Sequence, residues 1–223
     1  MAKTVSKGKC YICGKELTKT TAKRHILTHE PEDDEAQECM LVKIEDKYDK
    51  NYWLYVDISL TATLKSLDTF LRQIWLECCG HMSEFSYGSY HEEIGLTRKI
   101  SSIPEGIVLD YEYDFGSSTD LKITFVEYTL RRKQKKAVRL LARNIAPDYR
   151  CCVCGKPAEF IDTEAYYNEE NPFYCLDCLR AKDTDEGYAL PVVNSPRMGV
   201  CGYCGEFDTY EFDPDRIGEK QDL

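Results

Sequence analysis

The sequence predicts an α+β fold, an antiparallel sheet with one packed helix, set between two cysteine-rich ends. Three observations support this. Eight of the twelve cysteines stand in four C-x-x-C pairs, Cys10/Cys13, Cys151/Cys154, Cys175/Cys178 and Cys201/Cys204, all outside the centre of the chain. Leu64, Leu67, Phe70, Leu71, Ile74, Trp75 and Cys78 recur at helical spacing, which draws one apolar stripe along a helix. Before and after that helix, short runs alternate apolar and polar residues, the period of a half-buried strand.

Taken in order, residues 1–30 read as a finger. Cys10-x-x-Cys13, eleven residues, then His25-x-x-x-His29 matches the two-cysteine, two-histidine zinc pattern with one residue fewer than the usual gap. The spacing has a chemical reason. A tight knuckle supplies two thiolates, and a short helix presents two imidazoles one turn apart on one side. Leu17 and Ala22 occupy the positions that a finger's small core needs. Residues 31–38, PEDDEAQE, read as an acidic linker.

Residues 39–147 form the central domain. Met40–Glu45 and Tyr52–Ile58 read as strands, followed by the helix, with Thr63 as its N-cap and Gly80 as its stop. A strand is expected over Glu84–Tyr90. In Ile107–Phe115, Leu109, Tyr111, Tyr113 and Phe115 alternate with polar positions. The turn Gly116–Thr119 then leads into Leu121–Tyr128 as a hairpin, and Ala137–Ala142 suits a further strand. Two strands, a helix and several antiparallel strands describe a β-grasp-like sheet crossed by one helix.

Residues 148–223 hold the remaining cysteine pairs. Cys151-x-x-Cys154-Gly155 has the form of a zinc knuckle, with glycine placed to close the turn. Cys175-x-x-Cys178 follows twenty residues later and opens a short helix, so knuckle and helix together predict a treble-clef-like zinc module. Cys152 is badly spaced for the same ion. Cys201-x-x-Cys204-Gly205 is a third knuckle without an obvious partner pair. Three readings stay open for it: a separate site completed by Cys78, Cys79 or His81, an exchange of pairs with another knuckle, or no metal. Two zinc ions are thus expected, and a third depends on that knuckle.

Composition narrows the function classes. The chain has 223 residues, 43% hydrophobic and 12% aromatic, enough for a packed core. No apolar run approaches the roughly 20 residues of a membrane span. The basic start MAKTVSKGKC lacks an apolar segment behind it, unlike a signal peptide, so a cytoplasmic location is expected. In a reducing compartment, C-x-x-C pairs favour metal over disulfides. The net charge of −10 is uneven: residues 1–30 are basic, and Arg131, Arg132, Lys133, Lys135, Lys136, Arg139 and Arg143 form a second basic stretch. An acidic chain is a poor general nucleic-acid binder, although a basic finger can still contact phosphates.

Tyr52-Trp53, Trp75, His81-x-x-x-Phe85 and Tyr111-Glu112-Tyr113-Asp114-Phe115-Gly116 occur in that order over residues 40–145. On these marks the middle of the chain resembles the plasmid pRiA4b ORF-three-like family, whose relatives include transposon-passenger proteins labelled TnpR-like. The tail Leu190–Arg197 resembles zinc-knuckle-bearing prokaryotic members. The resemblance implies an α+β fold and no settled activity. No serine- or tyrosine-recombinase constellation surrounds Ser117, Ser118 or the core tyrosines. Cys78-Cys79-Gly80-His81 places thiols near an imidazole, but sequence neighbours rarely form a nucleophile–base pair. The carboxylates of Asp110, Glu112 and Asp114 read as a solvated strand face. No small-molecule substrate and no catalysis are expected. The leading expectation is a non-enzymatic adaptor or regulator with structural zinc and a protein or nucleic-acid partner. The alternative is a nucleic-acid-binding accessory factor of a mobile element or of transcription, using the finger and the 131–143 stretch.

Overall fold

A computed structural model describes residues 6–29, 36–88, 92–133, 135–168, 171–182 and 188–205. Among these, residues up to Leu71 and Met82–Ile145 form one compact unit; Arg72–His81 and the residues from Ala146 onward form a second.

The first unit is built on one antiparallel sheet. Its strands are β1 (Lys7–Cys10), β2 (Glu16–Thr18), β3 (Ala36–Asp46), β4 (Trp53–Ser59), β5 (Ser83–Tyr87), β6 (Glu92–Ile94), β7 (Val108–Tyr113), β8 (Thr119–Arg132) and β9 (Val138–Asn144). They lie in the order β2-β1-β9-β4-β3-β8-β7-β5-β6. Among the described residues this unit has two α-helices, α1 (Lys19–Ile26) and α2 (Leu64–Leu71), and a short 3-10 turn over Ile100–Ser102.

Register assigns the side chains to faces. Met40, Val42 and Ile44 of β3 lie opposite Ile58, Val56 and Leu54 of β4, all fully buried. The alternate set, Leu41, Lys43 and Glu45, lies opposite Asp57, Tyr55 and Trp53. That second face receives the N-terminal hairpin and α1. Leu17, Ala22 and Ile26 share a buried cluster with Leu41, Trp53, Tyr55, Leu141 and Ala142. Lys19 pairs with Glu45 at 2.6 Å and Lys23 with Glu127 at 3.1 Å, while the Trp53 indole donates to Ser6 Oγ at 2.8 Å. Glycine is required at position 8, because a Cβ there would meet Arg143 O and the Trp53 ring at 2.5 Å.

Several sequence expectations change here. The finger is continuous with the sheet, since β1 pairs with β9 through Gly8↔Asn144, Lys9↔Arg143 and Cys10↔Ala142. Of the acidic linker 31–38, Ala36–Glu38 are in β3, paired with Leu130–Arg132; residues 31–35 lie outside the described residues. The strand expected to end at Tyr90 is β5, ending at Tyr87, with positions 89 and 90 outside the described residues. The helix stops at Leu71 and continues as a wider π-helical turn over Arg72–Leu76, where Glu77 N–H donates to Arg72 O at 2.8 Å. An apolar stripe cannot distinguish these two windings, because Ile74, Trp75 and Leu76 are buried in either.

The second basic stretch is not a uniformly solvated surface. Arg131 and Arg143 are buried. Asp57, also fully buried, lies 2.5 Å from Arg139 and 3.6 Å from Arg131. Burial of a guanidinium, which does not lose its proton, requires such an anion.

The second unit contains a three-stranded antiparallel sheet of order β11-β10-β12, formed by β10 (Phe160–Asp162), β11 (Phe173–Tyr174) and β12 (Ala189–Pro191). Its described residues also include two short α-helices, α3 (Thr163–Tyr167) and α4 (Leu176–Ala181). Asp162 caps α3 by accepting from Ala165 N–H at 3.0 Å and pairs with Lys182 at 2.7 Å. Ser195 Oγ donates to Trp75 O at 2.6 Å, which holds the 72–81 segment within the unit.

Candidate metal centres

Three clusters of four Cys/His donors occur among the described residues, and within each all donor atoms lie within 4.8 Å of one another. A tetrahedral zinc with bonds of about 2.3 Å to sulfur and 2.0–2.1 Å to nitrogen implies S–S edges of about 3.8 Å, S–N of about 3.6 Å and N–N of about 3.3 Å.

In the first unit, Cys10, Cys13, His25 and His29 come together as their spacing predicts. The knuckle is closed by backbone bonds, Gly14 N–H to Cys10 O at 2.8 Å and Cys10 N–H to Lys15 O at 2.9 Å, with Gly14 at φ +75°. Helix α1 starts where the Thr21 hydroxyl accepts from Thr18 N–H at 3.0 Å, and its last turn carries His25. Cys13 Sγ–His25 Nε2 is 3.3 Å, Cys10 Sγ–His29 Nε2 3.6 Å and His25 Nε2–His29 Nε2 3.1 Å. Burial holds both imidazoles below their usual pKa, with Lys15 adding to this at His25, and His25 and Arg131 at His29. Both rings are therefore neutral at neutral pH, the form that binds metal. Burial pushes the Cys10 thiol up to about 11, against the backbone N–H groups of Ile12 and Cys13. A buried thiolate here needs a cation beside it.

In the second unit, Cys151, Cys154, Cys175 and Cys178 form an all-cysteine cluster. The knuckle repeats the first one, with Gly155 N–H to Cys151 O at 2.9 Å, Cys151 N–H to Lys156 O at 2.8 Å, and Gly155 at φ +74°. Cys175 precedes α4 and Cys178 lies in its first turn. Cys154 Sγ–Cys175 Sγ is 3.6 Å. Burial acts to raise the Cys151 thiol, but N–H groups of Cys175, Cys154 and Val153 outweigh it and bring the value down to about 6. Hydrogen bonds with Cys154 and Cys175 push Cys178 far up. A divalent cation favours the thiolate form of every cysteine it binds, which offsets the resistance of Cys178 to ionising. Cys152 stands outside this set, as its spacing implied.

The third cluster also lies inside the second unit. It comprises Cys78, Cys79, His81 and Cys201, the core residues that the sequence had left open as partners for the last knuckle. Cys79 Sγ–Cys201 Sγ is 3.9 Å and His81 Nε2–Cys201 Sγ 3.3 Å. The hydrogen bond with Cys201, then the charge of Cys78, pushes Cys79 up to about 11. The fully buried Arg197 donates from Nη2 to Cys78 Sγ at 3.4 Å. Cys204, named from the sequence as a ligand, is not in this cluster; its Sγ donates to Gly202 O at 3.3 Å. The Cys-Cys-x-His run preceding an orphan knuckle was the signal for this site, and nothing local in either segment chooses between the alternatives.

No protein-family model and no curated protein matches the chain. Among solved structures it is similar to a protein of unknown function, MM3350, from Methanosarcina mazei Go1, with 14% identity, a TM-score of 0.44, and 68% of this chain and 86% of that chain covered. No helix among the described residues is long and apolar enough to cross a membrane.

Proposed function

We propose that this protein is a non-enzymatic adaptor whose zinc ions are structural and whose surface is presented to a partner protein. The observation that carries the reading is that each cluster is a complete four-donor set of thiols and imidazoles. Filled coordination leaves no position for a substrate or an activated water, and the ligation energy then serves folding. The metal is zinc on donor chemistry: soft thiolates with imidazole in tetrahedral spacing select it over the harder divalent ions. Cys10, Cys13, His25 and His29 would hold one ion, Cys151, Cys154, Cys175 and Cys178 a second in a treble-clef-like module, and Cys78, Cys79, His81 and Cys201 a third.

The central unit is, in this reading, a pRiA4b ORF-three-like domain of β-grasp-like design. The inner strand order β4-β3-β8-β7, with α2 following β4, supports it, as does burial of Trp53, Phe85, Tyr111 and Tyr113 from the motif positions. A protein partner is favoured over nucleic acid because Lys19 and Lys23 of the finger helix are paired with sheet carboxylates. Of the 131–143 stretch, Arg131 and Arg139 likewise serve Asp57.

Native mass spectrometry on protein purified without added metal tests the zinc reading, which expects three zinc ions per chain and no disulfide. Titration with duplex DNA and single-stranded RNA at rising salt tests the partner class. A complex that weakens steeply with salt, as phosphate-driven binding must, would replace the adaptor by the nucleic-acid reading.

A further inference from the structure

The three centres differ in how well their sulfurs are shielded from solvent. The first contains the fully buried Cys10, and the second contains Cys151 and Cys175, 3% and 4% exposed. The third has no buried donor, and its Cys79 and Cys201 are both exposed. We propose that Cys79 and Cys201 are an oxidation site, at which a hydroperoxide joins the two sulfurs as a disulfide and releases the zinc ion of the third centre. The proposal rests on the structural-zinc reading above.

Cys79 Sγ and Cys201 Sγ lie 3.9 Å apart, contact distance for two sulfurs, although 122 positions separate them in the chain. Each stands on a loop that is tied in place. Glu77 holds the turn carrying Cys79: its Oε1 accepts from Gly80 N–H at 2.5 Å and its Oε2 from Arg72 Nη1 at 2.8 Å. Arg72 Nη2 also donates to His81 O at 2.7 Å. On the other side, Val200 N–H donates to Arg197 O at 3.1 Å and Tyr203 N–H to Val200 O at 3.0 Å, and the buried Tyr203 anchors that turn. Neither cysteine belongs to a helix or strand, so bond formation asks for side-chain rotation rather than loss of secondary structure. Each of the other centres has one exposed cysteine, Cys13 or Cys154. Cys13 faces His25, and Cys154 faces Cys175, which is buried where α4 starts. Cys204 is exposed, but its thiol is turned to Gly202 O.

Zinc keeps the sulfurs it binds as thiolates, the nucleophilic form of cysteine, and oxidation follows thiolate character and exposure together. One thiolate attacks a peroxide oxygen. An S–O bond forms, the O–O bond breaks, and the departing alkoxide takes a proton from solvent to leave as an alcohol, or as water when the oxidant is hydrogen peroxide. The second thiolate then attacks the sulfenic sulfur: the S–S bond forms, the S–O bond breaks, and hydroxide leaves as water with a second proton. The two thiolates have lost two electrons, and the hydroperoxide has gained them. Cys78 and His81 remain as two donors, half of a tetrahedral set, and the ion departs.

The experiment uses the full chain, purified under reductant with its zinc bound, and hydrogen peroxide added stepwise as the probe. Native mass spectrometry counts the ions, and a peptide map without reduction locates any bridge. The expected result is a fall from three ions to two with one bridge, Cys79–Cys201, and recovery of the third ion when reductant and zinc are supplied. Cys204→Ala is expected to give the same bridge and the same loss. A first bridge within either other centre, a Cys201–Cys204 bridge, zinc loss with sulfinic acid and no bridge, or all three ions retained in excess peroxide overturns the proposal. A reduced chain that holds two ions before any peroxide is added counts instead against the zinc reading, and the peptide map of the same sample still decides whether Cys79 and Cys201 are the pair that bridges.

Discussion

Gly8→Ala asks whether the finger is part of the sheet. A Cβ at position 8 would meet a backbone carbonyl, Arg143 O, and two atoms of the Trp53 ring, all at 2.5 Å. Ordinary contact begins near 3.4 Å, so about 0.9 Å must be made up. Trp53 is fully buried in the cluster beneath α1, and Arg143 belongs to β9, paired on both edges. Neither can retreat alone. Overpacking of this kind costs about 1–3 kcal/mol. With a urea slope near 2 kcal/mol/M, that lowers the midpoint by about 0.5–1.5 M. The assay is urea unfolding of the zinc-loaded chain followed by far-UV circular dichroism, with amide exchange of β9 as the local readout. Gly116→Ala is the control, since a Cβ there makes only a 3.5 Å contact with Asp114. A Gly8→Ala midpoint equal to that of the control, with unchanged protection in β9, would refute the packing of β1 between β2 and β9.

Cys10→Ser is expected to release one zinc and to lower the stability of the first unit as well, because Cys10 is both a donor and a β1 residue opposite Ala142; native mass spectrometry and urea unfolding measure the two effects. Asp57→Asn leaves the guanidiniums of Arg131 and Arg139 beside a neutral amide in the interior, and should cost about 3–5 kcal/mol in the same unfolding assay. Burial acts to raise the Glu45 carboxyl, but hydrogen bonds from Lys19 and Lys43 hold it below its ordinary value. A depressed carboxylate adds stability above its unfolded pKa and loses it as pH falls through the folded one. Lys19→Met should therefore destabilise the protein at pH 7 and flatten the loss below about pH 4.5, seen as converging urea midpoints; parallel curves count against the pair. Cys178→Ser should abolish the all-cysteine site and unfold β10–β12, while amide protection in β3 and β8 persists.

What could be read in the sequence was whatever is decided locally. C-x-x-C-G spells a knuckle because four or five residues suffice to build it, so Cys10, Cys13, Cys151 and Cys154 were found by spacing alone. The hairpin of β7 and β8 was visible because Leu109, Tyr111 and Tyr113 alternate toward one face and face Ile123, Leu121 and Thr119 across a short turn. Pairings fixed by distant segments were not visible. Ala36–Glu38 read as linker because their own pattern is polar, and they are strand only because Leu130–Arg132 lie beside them. Arg131 and Arg139 looked like surface cations because Asp57, some eighty residues earlier, leaves no local trace. Cys78, Cys79 and His81 were chemically legible as donors, but their meeting with Cys201 spans 120 residues or more.

The placement of β1 between β2 and β9 has a consequence for synthesis. Its inner partner is Ala142–Asn144, so the finger emerges from the ribosome well before the strand that completes it. At roughly 5–20 residues per second, the interval between Gly8 and Asn144 is about 7–27 s. Through that time β1 has only β2 as a neighbour, and a two-stranded ribbon with a two-turn helix is too small to hold itself together in water. An ion gripped by Cys10, Cys13, His25 and His29 would keep the nascent hairpin in register with its strand edge ready. On this view metal supply during translation governs yield: cells starved of zinc while the chain is being made should accumulate misfolded protein that zinc added afterwards restores poorly.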